Sequence, residues 1–294
     1  MIIYADPDVA FVKMIALRWP DGITCPRCGS KKNTFTKARR VWHCSDCKKQ
    51  FSIKIGTVME ASPLGLDTWL CGLWLLINAK NGISSYEIHR ALGITQKSAW
   101  FLLHRLRLVL KTRSFSKLTG EIEADETYIG GLEKNKHAYK RLNAGRGGIG
   151  KAIVMGILQR GGAVKANVIS DTTKEILQGE LKKNVAYGSD VFTDSHPSYV
   201  GLDEQYIHEA INHSFEYVRK NVTTNRIENF FSLLKRTLHG TYVAVEPVHL
   251  QRYLDEQVFR YNARKGNDAD RFRLAVKGME GRRVTYKQLI GHAK

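Results

Sequence analysis

The sequence predicts an α/β fold built on a mixed sheet, with a cysteine-rich module and a helical module ahead of it. Strand-type segments begin near residue 119, in EIEADETYIGG, KAIVMGILQR and AVKANVIS, and the helix-type segment KEILQGELKKNV and the strand DVFTD follow. This order is typical of a mixed sheet covered by helices. Four of the five cysteines form two C-x2-C pairs. Apolar residues recur at helical spacing through residues 66–111.

The 294 residues divide into successive segments of different character. We expect a helical lead-in over residues 1–20, a cysteine-rich module over 21–60 and a helical segment over 61–115. An α/β domain over 119–264 and a C-terminal helical tail over 265–294 complete the chain. Two long helices, over 225–238 and 248–262, are predicted to close the α/β domain.

The charge balance indicates a polyanionic partner. The chain has 46 Lys+Arg against 28 Asp+Glu, a formal net charge of +18. Nucleic acid is the first candidate for a protein of this charge. The apolar run over residues 69–77 is too short to span a bilayer, so no membrane contact is expected. Paired C-x2-C motifs favour a reducing compartment, and we expect a cytoplasmic, nucleoid-associated protein.

The cysteine pairs predict a structural zinc site. Cys25 and Cys28 form the first pair, Cys44 and Cys47 form the second, and 15 residues separate them. Four thiolates at this spacing can surround one Zn²⁺ tetrahedrally. Four cysteine ligands leave no open position, so we expect a structural rather than a catalytic role for this zinc. His43 adjoins the second pair but is not needed as a ligand.

A helix-turn-helix is predicted within GISSYEIHRALGITQKSAWFLLHRLRLVL. Ser84 or Ser85 can cap the first helix, Gly93 provides the turn, and Thr95 can cap the second helix. An ordinary helical hairpin would show much the same pattern. Under either interpretation, Trp100 and the following leucines are expected in the core.

Candidate DNA contacts lie on the second of these helices. Its exposed start, Gln96, Lys97 and Ser98, is where a recognition helix contacts base edges. Arg105 and Arg107, further along, are expected to meet phosphates. A solvated helix surface is the alternative for each of these side chains.

Three acids on differently structured segments form a candidate catalytic set. Asp125 lies within a strand, Asp194 ends a short strand, and Glu228 opens an amphipathic helix. Lys235 follows Glu228 by seven residues and therefore projects from the same helix face. Carboxylates are the hard oxygen ligands that Mg²⁺ or Mn²⁺ prefers. Two such ions held by acids can cleave and join phosphodiester bonds, whereas any single acid is more often a surface carboxylate.

Other side chains compete for the third ligand position and for metal binding. Asn225 precedes Glu228 by one turn and could either cap the helix or offer an amide oxygen to Mg²⁺, although Glu228 ranks above it. His196, His208 and His213 are rivals for a metal role, and we favour DNA contact or local hydrogen bonding for them.

Residues 134–151, KNKHAYKRLNAGRGGIGK, form a basic glycine-rich loop next to Asp125. The loop has six Lys or Arg and no acid. Such a loop is suited to phosphate contact through its side chains, and the candidates are Lys140, Arg141 and Arg146. It lacks the spacing of a nucleotide-binding P-loop and precedes a strand rather than a helix, so nucleotide binding is rejected.

The chain resembles the ISXO-like insertion-sequence transposases. The strings that carry the resemblance include CPRCGS, HCSDCKKQFS, DETYIGG, TDSHPSY, NRIENFFSLLKR and GTYVAV, and they span nearly the whole chain. The resemblance implies a zinc ribbon and a helix-turn-helix segment ahead of an RNase H-like, mixed-sheet α/β catalytic domain. It implies Asp125, Asp194 and Glu228 as the three acids of a DDE site and Lys235 as the trailing lysine. Some members carry asparagine as the third ligand, which keeps Asn225 as the alternative.

The same resemblance implies an activity. It implies Mg²⁺-dependent cleavage at terminal inverted repeats, transfer of the 3′ ends into target DNA, and action as a homo-oligomer that pairs two ends. Two alternatives stay open from the residues alone. One is a non-catalytic DNA-binding regulator built from the zinc ribbon and helix-turn-helix, and the other is an RNase H-like nuclease that cleaves without joining.

Overall fold

The computed structural model divides the chain into two compact units. It describes residues 4–111, 116–131, 139, 148, 150–211 and 222–290. The first unit combines residues 1–111 with 265–294, and the second comprises residues 112–264. The C-terminal tail therefore belongs to the same unit as the N-terminal segments, from which it is distant in sequence.

The first unit begins with a helix and a small sheet. Helix α1 (Pro7–Arg18) is capped by the preceding residue, Asp6, whose carboxylate accepts hydrogen bonds from the amides of Asp8 and Val9. Strands β1 (Asn33–Thr36), β2 (Val41–Cys44) and β3 (Gln50–Ser52) form an antiparallel sheet in that order. Aromatic rings join the helix to the sheet, with Trp42 stacked between Phe11 and Phe51.

Three helices follow, and two of them form the predicted helix-turn-helix. They are α2 (Leu66–Asn78), α3 (Ser85–Leu92) and α4 (Gln96–Leu110). Ser84, rather than Ser85, caps α3 in a reciprocal capping box with Glu87. Gly93 ends α3 with a φ of 64°, a left-handed conformation that glycine adopts without steric cost. Thr95 caps α4 by accepting a hydrogen bond from the Ser98 amide.

The tail contributes helices α8 (Asp268–Lys277) and α9 (Tyr286–Leu289) to the first unit. Arg271 on α8 donates from Nε to Oδ1 of Asn78 over 3.1 Å, and Phe272 packs against Trp74. The tail is therefore part of the packed helical unit. Within the part of the chain that the structure describes, no helix is long and apolar enough to cross a bilayer.

The second unit has the predicted mixed sheet. Its strands are β4 (Glu121–Ile129), β5 (Ala152–Gln159), β6 (Val164–Ile169), β7 (Asp190–Asp194) and β8 (Ile207–Ile211). The spatial order is β6-β5-β4-β7-β8, with β4, β5 and β6 antiparallel and with β7 parallel to both β4 and β8. This is the RNase H-like arrangement, and the predicted α/β fold class is confirmed.

Helices cover both faces of this sheet. Helix α5 (Lys174–Asn184) packs its buried leucines on the face that carries Ile122 and Ala124. Helices α6 (Asn225–Thr237) and α7 (Pro247–Asn262), joined by a π-helical turn at Leu238–Tyr242, cover the other face. Because side chains alternate along a strand, the odd-numbered residues of β4 point towards α6.

Candidate active site and zinc centre

Two of the three predicted acids lie side by side on the α6 face of the sheet. Strands β4 and β7 are parallel neighbours, with Glu123 opposite Phe192 as the last registered pair. Asp125 and Asp194 each follow that pair by two residues, so both return to the same face at the same level. The sheet register therefore brings these two carboxylates together.

A glycine opposite Asp125 admits the helix that carries the third acid. Gly156 on β5 pairs with Asp125. A Cβ atom at Gly156 would lie 2.6 Å from Cδ1 of Ile227 and 2.9 Å from the ring of Phe231. The missing side chain thus allows α6 to approach the sheet closely, and the first turn of α6 holds Glu228 beside the strand acids.

The charges of neighbouring acids act on the carboxyl group of Asp125. Burial raises the pKa of Asp125 to about 7, and the Glu126 amide, which donates to Asp125 Oδ1 over 2.8 Å, opposes this rise. The charges of Glu126, Asp194 and Glu228 raise this pKa further. Such clustered carboxylates repel one another, and a bound cation would relieve that repulsion.

A fourth acid, Glu123, binds the first turn of α6 from strand β4. The sequence pattern alone does not identify this residue. Its side chain is fully buried, and Oε2 accepts hydrogen bonds from the amides of Arg226 and Ile227 over 2.9 and 3.1 Å. Oε1 accepts from Nε of Arg160 over 2.8 Å. Arg160 also donates to the carbonyl of Thr223 over 3.0 Å. Glu123 therefore satisfies amides at the start of α6 that would otherwise lack partners.

The start of α6 distinguishes the two candidates for the third ligand. Thr224 is the residue before the helix, and its hydroxyl donates to Oε1 of Glu228 over 2.8 Å. Asn225 is the exposed first residue of α6 and not its N-cap, and Glu123 accepts from the two amides that follow it. The expectation that Asn225 caps the helix is therefore wrong. Lys235 is half-buried, two turns along from Glu228.

Two of the three histidines make local hydrogen bonds, as favoured from the sequence. His196 accepts from the Ser198 amide through Nδ1, and its own amide donates to Oδ1 of Asp194 over 3.1 Å. His208 Nε2 lies 2.9 Å from Oγ1 of Thr193. Burial lowers the pKa of His208, with an opposing contribution from Asp203. His213 lies outside the described residues.

Glu126 lies on the opposite face of β4 and forms a separate polar contact. Its Oε2 accepts from the hydroxyl of Tyr199 over 2.5 Å. Burial raises the pKa of Glu126, the Tyr199 hydrogen bond lowers it, and the charge of Asp194 raises it. The Tyr199 hydroxyl therefore holds the Glu126 carboxylate on the face opposite α6.

The predicted zinc ligands converge closely. The sulfur atoms of Cys25, Cys28, Cys44 and Cys47 all lie within 4.8 Å of one another. The Cys25–Cys47 and Cys28–Cys44 sulfur distances are 3.7 and 3.6 Å. Tetrahedral Zn²⁺ with bonds near 2.3 Å separates its sulfur ligands by roughly 3.8 Å, so these cysteines fit zinc. Among the described residues, no other group brings three metal-ligand atoms this close, and the three acids therefore do not meet this 4.8 Å spacing.

The comparisons with known proteins agree with this architecture. Residues 117–262 match the family described as the ISXO2-like transposase domain, and residues 7–50 match the transposase zinc-ribbon domain. Together the two matches cover most of the chain. The chain belongs to the ISXO2-like transposases.

A curated relative supports the family assignment. This transposase is 25% identical over 240 residues to a Halobacterium salinarum protein described as an uncharacterized protein in transposable element ISH50. The aligned region covers 76% of this chain and 80% of the relative.

Two solved structures are more distant. The Mos1 strand transfer complex has 13% identity and a TM-score of 0.31, over 71% of this chain and 74% of that chain. A pre-cleavage Mos1 transpososome has 9% identity and a TM-score of 0.19, over 67% of this chain and 77% of that chain. The RNase H-like fold of the transposase follows from its own sheet order, β6-β5-β4-β7-β8.

The candidate DNA contacts of the transposase differ in accessibility. At the start of α4, Lys97 is exposed and Ser98 is half-buried, while Gln96 donates to the hydroxyl of Ser85 over 2.9 Å. Arg105 and Arg107 are 3% and 1% exposed. The alternative of a solvated helix surface is therefore wrong for both arginines, and their phosphate contacts stay a prediction.

The remaining predictions concern the core position of Trp100 and the phosphate contacts of the basic loop. Trp100 was expected in the core, but it is half-buried, while Leu103 and Leu106 are buried. Lys140, Arg141 and Arg146 of the basic loop lie outside the described residues, so their phosphate contacts stay a prediction.

Proposed function

We propose that this transposase binds the terminal inverted repeats of its element, cleaves the DNA ends by metal-assisted hydrolysis and transfers the 3′ ends into target DNA. The observation that carries the proposal is the convergence of Asp125, Asp194 and Glu228 from β4, β7 and α6. Three carboxylates from separate elements are costly to hold together unless a cation offsets their repulsion.

The donor set fits Mg²⁺ or Mn²⁺, because all three side chains offer hard oxygen atoms. Two ions lie about 3.5–4 Å apart in such sites, so the outer ligands are more widely spaced than around a single zinc. When bound, the ions would activate the attacking oxygen and stabilise the leaving oxygen.

The chain's own residues orient the ligands. The His196 amide holds Asp194, and the Thr224 hydroxyl holds Glu228. The Glu126 amide holds Asp125. Fixed carboxylates lose little freedom on binding a metal, which favours one productive geometry. In this proposal Lys235, on the same helix face as Glu228, binds a DNA phosphate beside the site.

DNA binding is assigned to the basic surfaces and the helix-turn-helix. Lys97 and Ser98, with Gln96, would contact base edges. Lys140, Arg141 and Arg146 would contact phosphates, in keeping with the net charge of +18. Structural zinc would hold the ribbon, and two DNA ends would be paired by a homo-oligomer.

The test uses DNA carrying the sequences that flank the gene, incubated with purified protein and Mg²⁺. Wild type, Asp194→Asn and Asp203→Asn are compared, the last being a matched control because the Asp203 side chain is 74% exposed and lies outside the triad. We expect 3′-end cleavage and joining by wild type and Asp203→Asn, and binding alone by Asp194→Asn. Full joining by Asp194→Asn would contradict the assignment.

The same assay separates the other two functions. Sequence-specific binding without cleavage by wild type would indicate a regulator. Cleavage without joined products would indicate an RNase H-like nuclease. The structure offers no observation that favours either over strand transfer.

A further inference from the structure

A cavity of about 490 Å³ lies in the first unit beside the start of α4. Residues 60–64 form one wall, α4 forms a second, and residues 283–286 of the C-terminal tail form the third. All three segments belong to the same compact unit. The cavity is within the size range of pockets that bind small organic groups.

Aromatic rings line this cavity. Trp100 and Phe101 on α4 are half-buried, and Tyr286 at the start of α9 is 49% exposed. The ring centroids of Phe101 and Tyr286 are 6.0 Å apart, with an angle of 36° between the planes. Partly exposed aromatic rings of this kind can receive another planar group by stacking.

The charge of the lining is positive. It carries Lys97, Arg105 and Arg283 against a single acid, Glu60. The carboxylate of Glu60 lies 3.3 Å from Nη1 of Arg283, and it also accepts from the amide of Gly56. One acid therefore faces three cations, and an anionic ligand would balance the excess positive charge.

Arg105 places a buried guanidinium group in the wall of this cavity. Its side chain is 3% exposed and donates from Nη2 to the carbonyl of Glu60 over 2.7 Å. Its Nε is buried without a hydrogen-bond partner. The guanidinium carbon lies 5.2 Å from the ring centroid of Trp69 and 5.4 Å from that of Phe101. The buried charge of Arg105 makes this wall of the cavity electropositive, which favours an anionic ligand.

We propose that this cavity binds one unpaired nucleotide of a DNA strand. The base would stack on Phe101 and Tyr286, and its phosphate would face Arg105 and Arg283. An apolar peptide would leave the cations unbalanced, and a phosphate ion alone would leave the rings uncovered. Lys97 belongs both to the cavity and to the surface assigned to DNA contact, so a strand held at α4 can reach the cavity. This inference rests on the proposed function and extends it to strand ends or unpaired positions.

The experiment uses the full-length zinc-loaded protein and a five-nucleotide single strand with 2-aminopurine at its centre. Stacking on an aromatic ring quenches 2-aminopurine fluorescence, so quenching reports entry of the base into the cavity. Wild type is compared with the double variant Arg283→Ala/Tyr286→Ala. Both replaced side chains are more than one-third exposed, so the fold should survive.

Two control variants separate the chemistry from general effects. Tyr286→Phe keeps the ring and should bind as wild type. Arg273→Ala removes an exposed cation elsewhere on the same unit, with its side chain 68% exposed, and should also bind as wild type. Because the double variant loses a stacking ring and a cation, it should bind at least about fivefold more weakly and lose the quenching.

Further arms identify the source of the ligand. Deoxyadenosine monophosphate, deoxyadenosine and inorganic phosphate are titrated as competitors of the strand. We expect competition by the monophosphate and much weaker competition by either part alone. Equal binding of the strand by wild type and the double variant, or binding without quenching, would overturn the proposal. Strand transfer is scored separately with the catalytic variants, so a failed cavity and a failed transposase reaction remain distinguishable.

Discussion

The carboxylate of Glu123 and the guanidinium of Arg160 form a buried ion pair beneath the acidic site. Nε of Arg160 lies 2.8 Å from Oε1 of Glu123, and their side chains are 7% and 0% exposed. The second oxygen of Glu123 accepts from the amides of Arg226 and Ile227 at the start of α6. The pair thereby fixes the helix turn that carries Glu228 relative to the strand that carries Asp125.

Glu123 does not contact the reacting atoms, but Glu123→Gln should impair catalysis because Glu123 positions α6. The substitution leaves Arg160 without its buried charge partner and with only the half-exposed Glu121 nearby, which should lower the free energy of unfolding by about 3 kcal/mol. Strand transfer should fall because α6 loses its anchor, while duplex binding should persist. Chemical denaturation, strand-transfer rates and DNA affinity are measured on the same preparations.

Glu121→Gln is the matched control for this prediction. Glu121 faces the same arginine at 3.6 Å, but its side chain is 41% exposed. Exposed pairs contribute about 0–1 kcal/mol, so this variant should remain close to wild type. Similar losses in both variants would mean that the buried geometry of Glu123 has no special role.

Gly156→Ala should separate α6 from the sheet. The new methyl group would lie 2.6 Å from Cδ1 of Ile227, and overpacking of this kind costs about 1–3 kcal/mol. Strand transfer should fall together with stability. Gly179→Ala on α5 is the control, because nothing lies within 4 Å of its added methyl group. Replacing a helical glycine should stabilise this control by about 0.5–1 kcal/mol. A Gly156→Ala protein with wild-type stability would refute the close-approach argument.

The third acid can be assigned by a pair of single variants. Glu228→Gln should reduce strand transfer at least about 100-fold, more than the 10–100-fold typical of residues that only support a ligand. Asn225→Ala should retain most activity, since the Thr224 hydroxyl orients Glu228 and the charge of Glu228 acts on Asp125. The reverse pattern in rates measured with saturating Mg²⁺ would assign Asn225 as the ligand.

Zinc removal should unfold the ribbon. Cys28 is exposed, so Cys28→Ser removes a metal ligand and almost no packing. We expect a colorimetric assay to find one zinc per chain in wild type and a clear deficit in this variant, with increased proteolysis within residues 21–60. Cys71→Ala, a buried cysteine on α2 outside the cluster, should keep its zinc. Full zinc content in Cys28→Ser would exclude a four-cysteine site.

Local features could be predicted from the sequence because they depend on nearby residues. The zinc cysteines follow from their spacing, and the sheet strands and α6 follow from side-chain periodicity. Asp125 and Asp194 could be paired as candidates because one lies in a strand and the other ends one.

Long-range contacts could not be predicted in the same way. Arg271 meets Asn78 across 193 residues, so no local pattern shows that the tail joins the first unit. Glu123 reaches the amides of α6 across more than 100 residues. Helical spacing identified one apolar side of α4, but it could not show that residues 60–64 and the tail cover Arg105 as well.

The raised pKa of Asp125 predicts a pH-dependent stability of the protein without added divalent metal. A carboxyl whose pKa is about 7 when folded and near 4 when unfolded holds a proton only in the folded state between those values. Stability should therefore fall as pH rises from 5 to 7, with a contribution of up to about 1.4 kcal/mol per pH unit. Denaturation curves at several pH values measure this slope.

Asp125→Asn should flatten the slope and stabilise the protein at pH 8, where the native carboxyl is charged and repelled by its neighbours. Asp171→Asn is the control: hydrogen bonds from the Thr173 side chain and amide lower the pKa of Asp171, so its effect falls in more acidic solution. Adding Mg²⁺ at pH 8 should stabilise wild type more than Asp125→Asn, because the metal replaces the proton in offsetting the clustered charge. An unchanged slope in Asp125→Asn would show that Asp125 is not the titrating group.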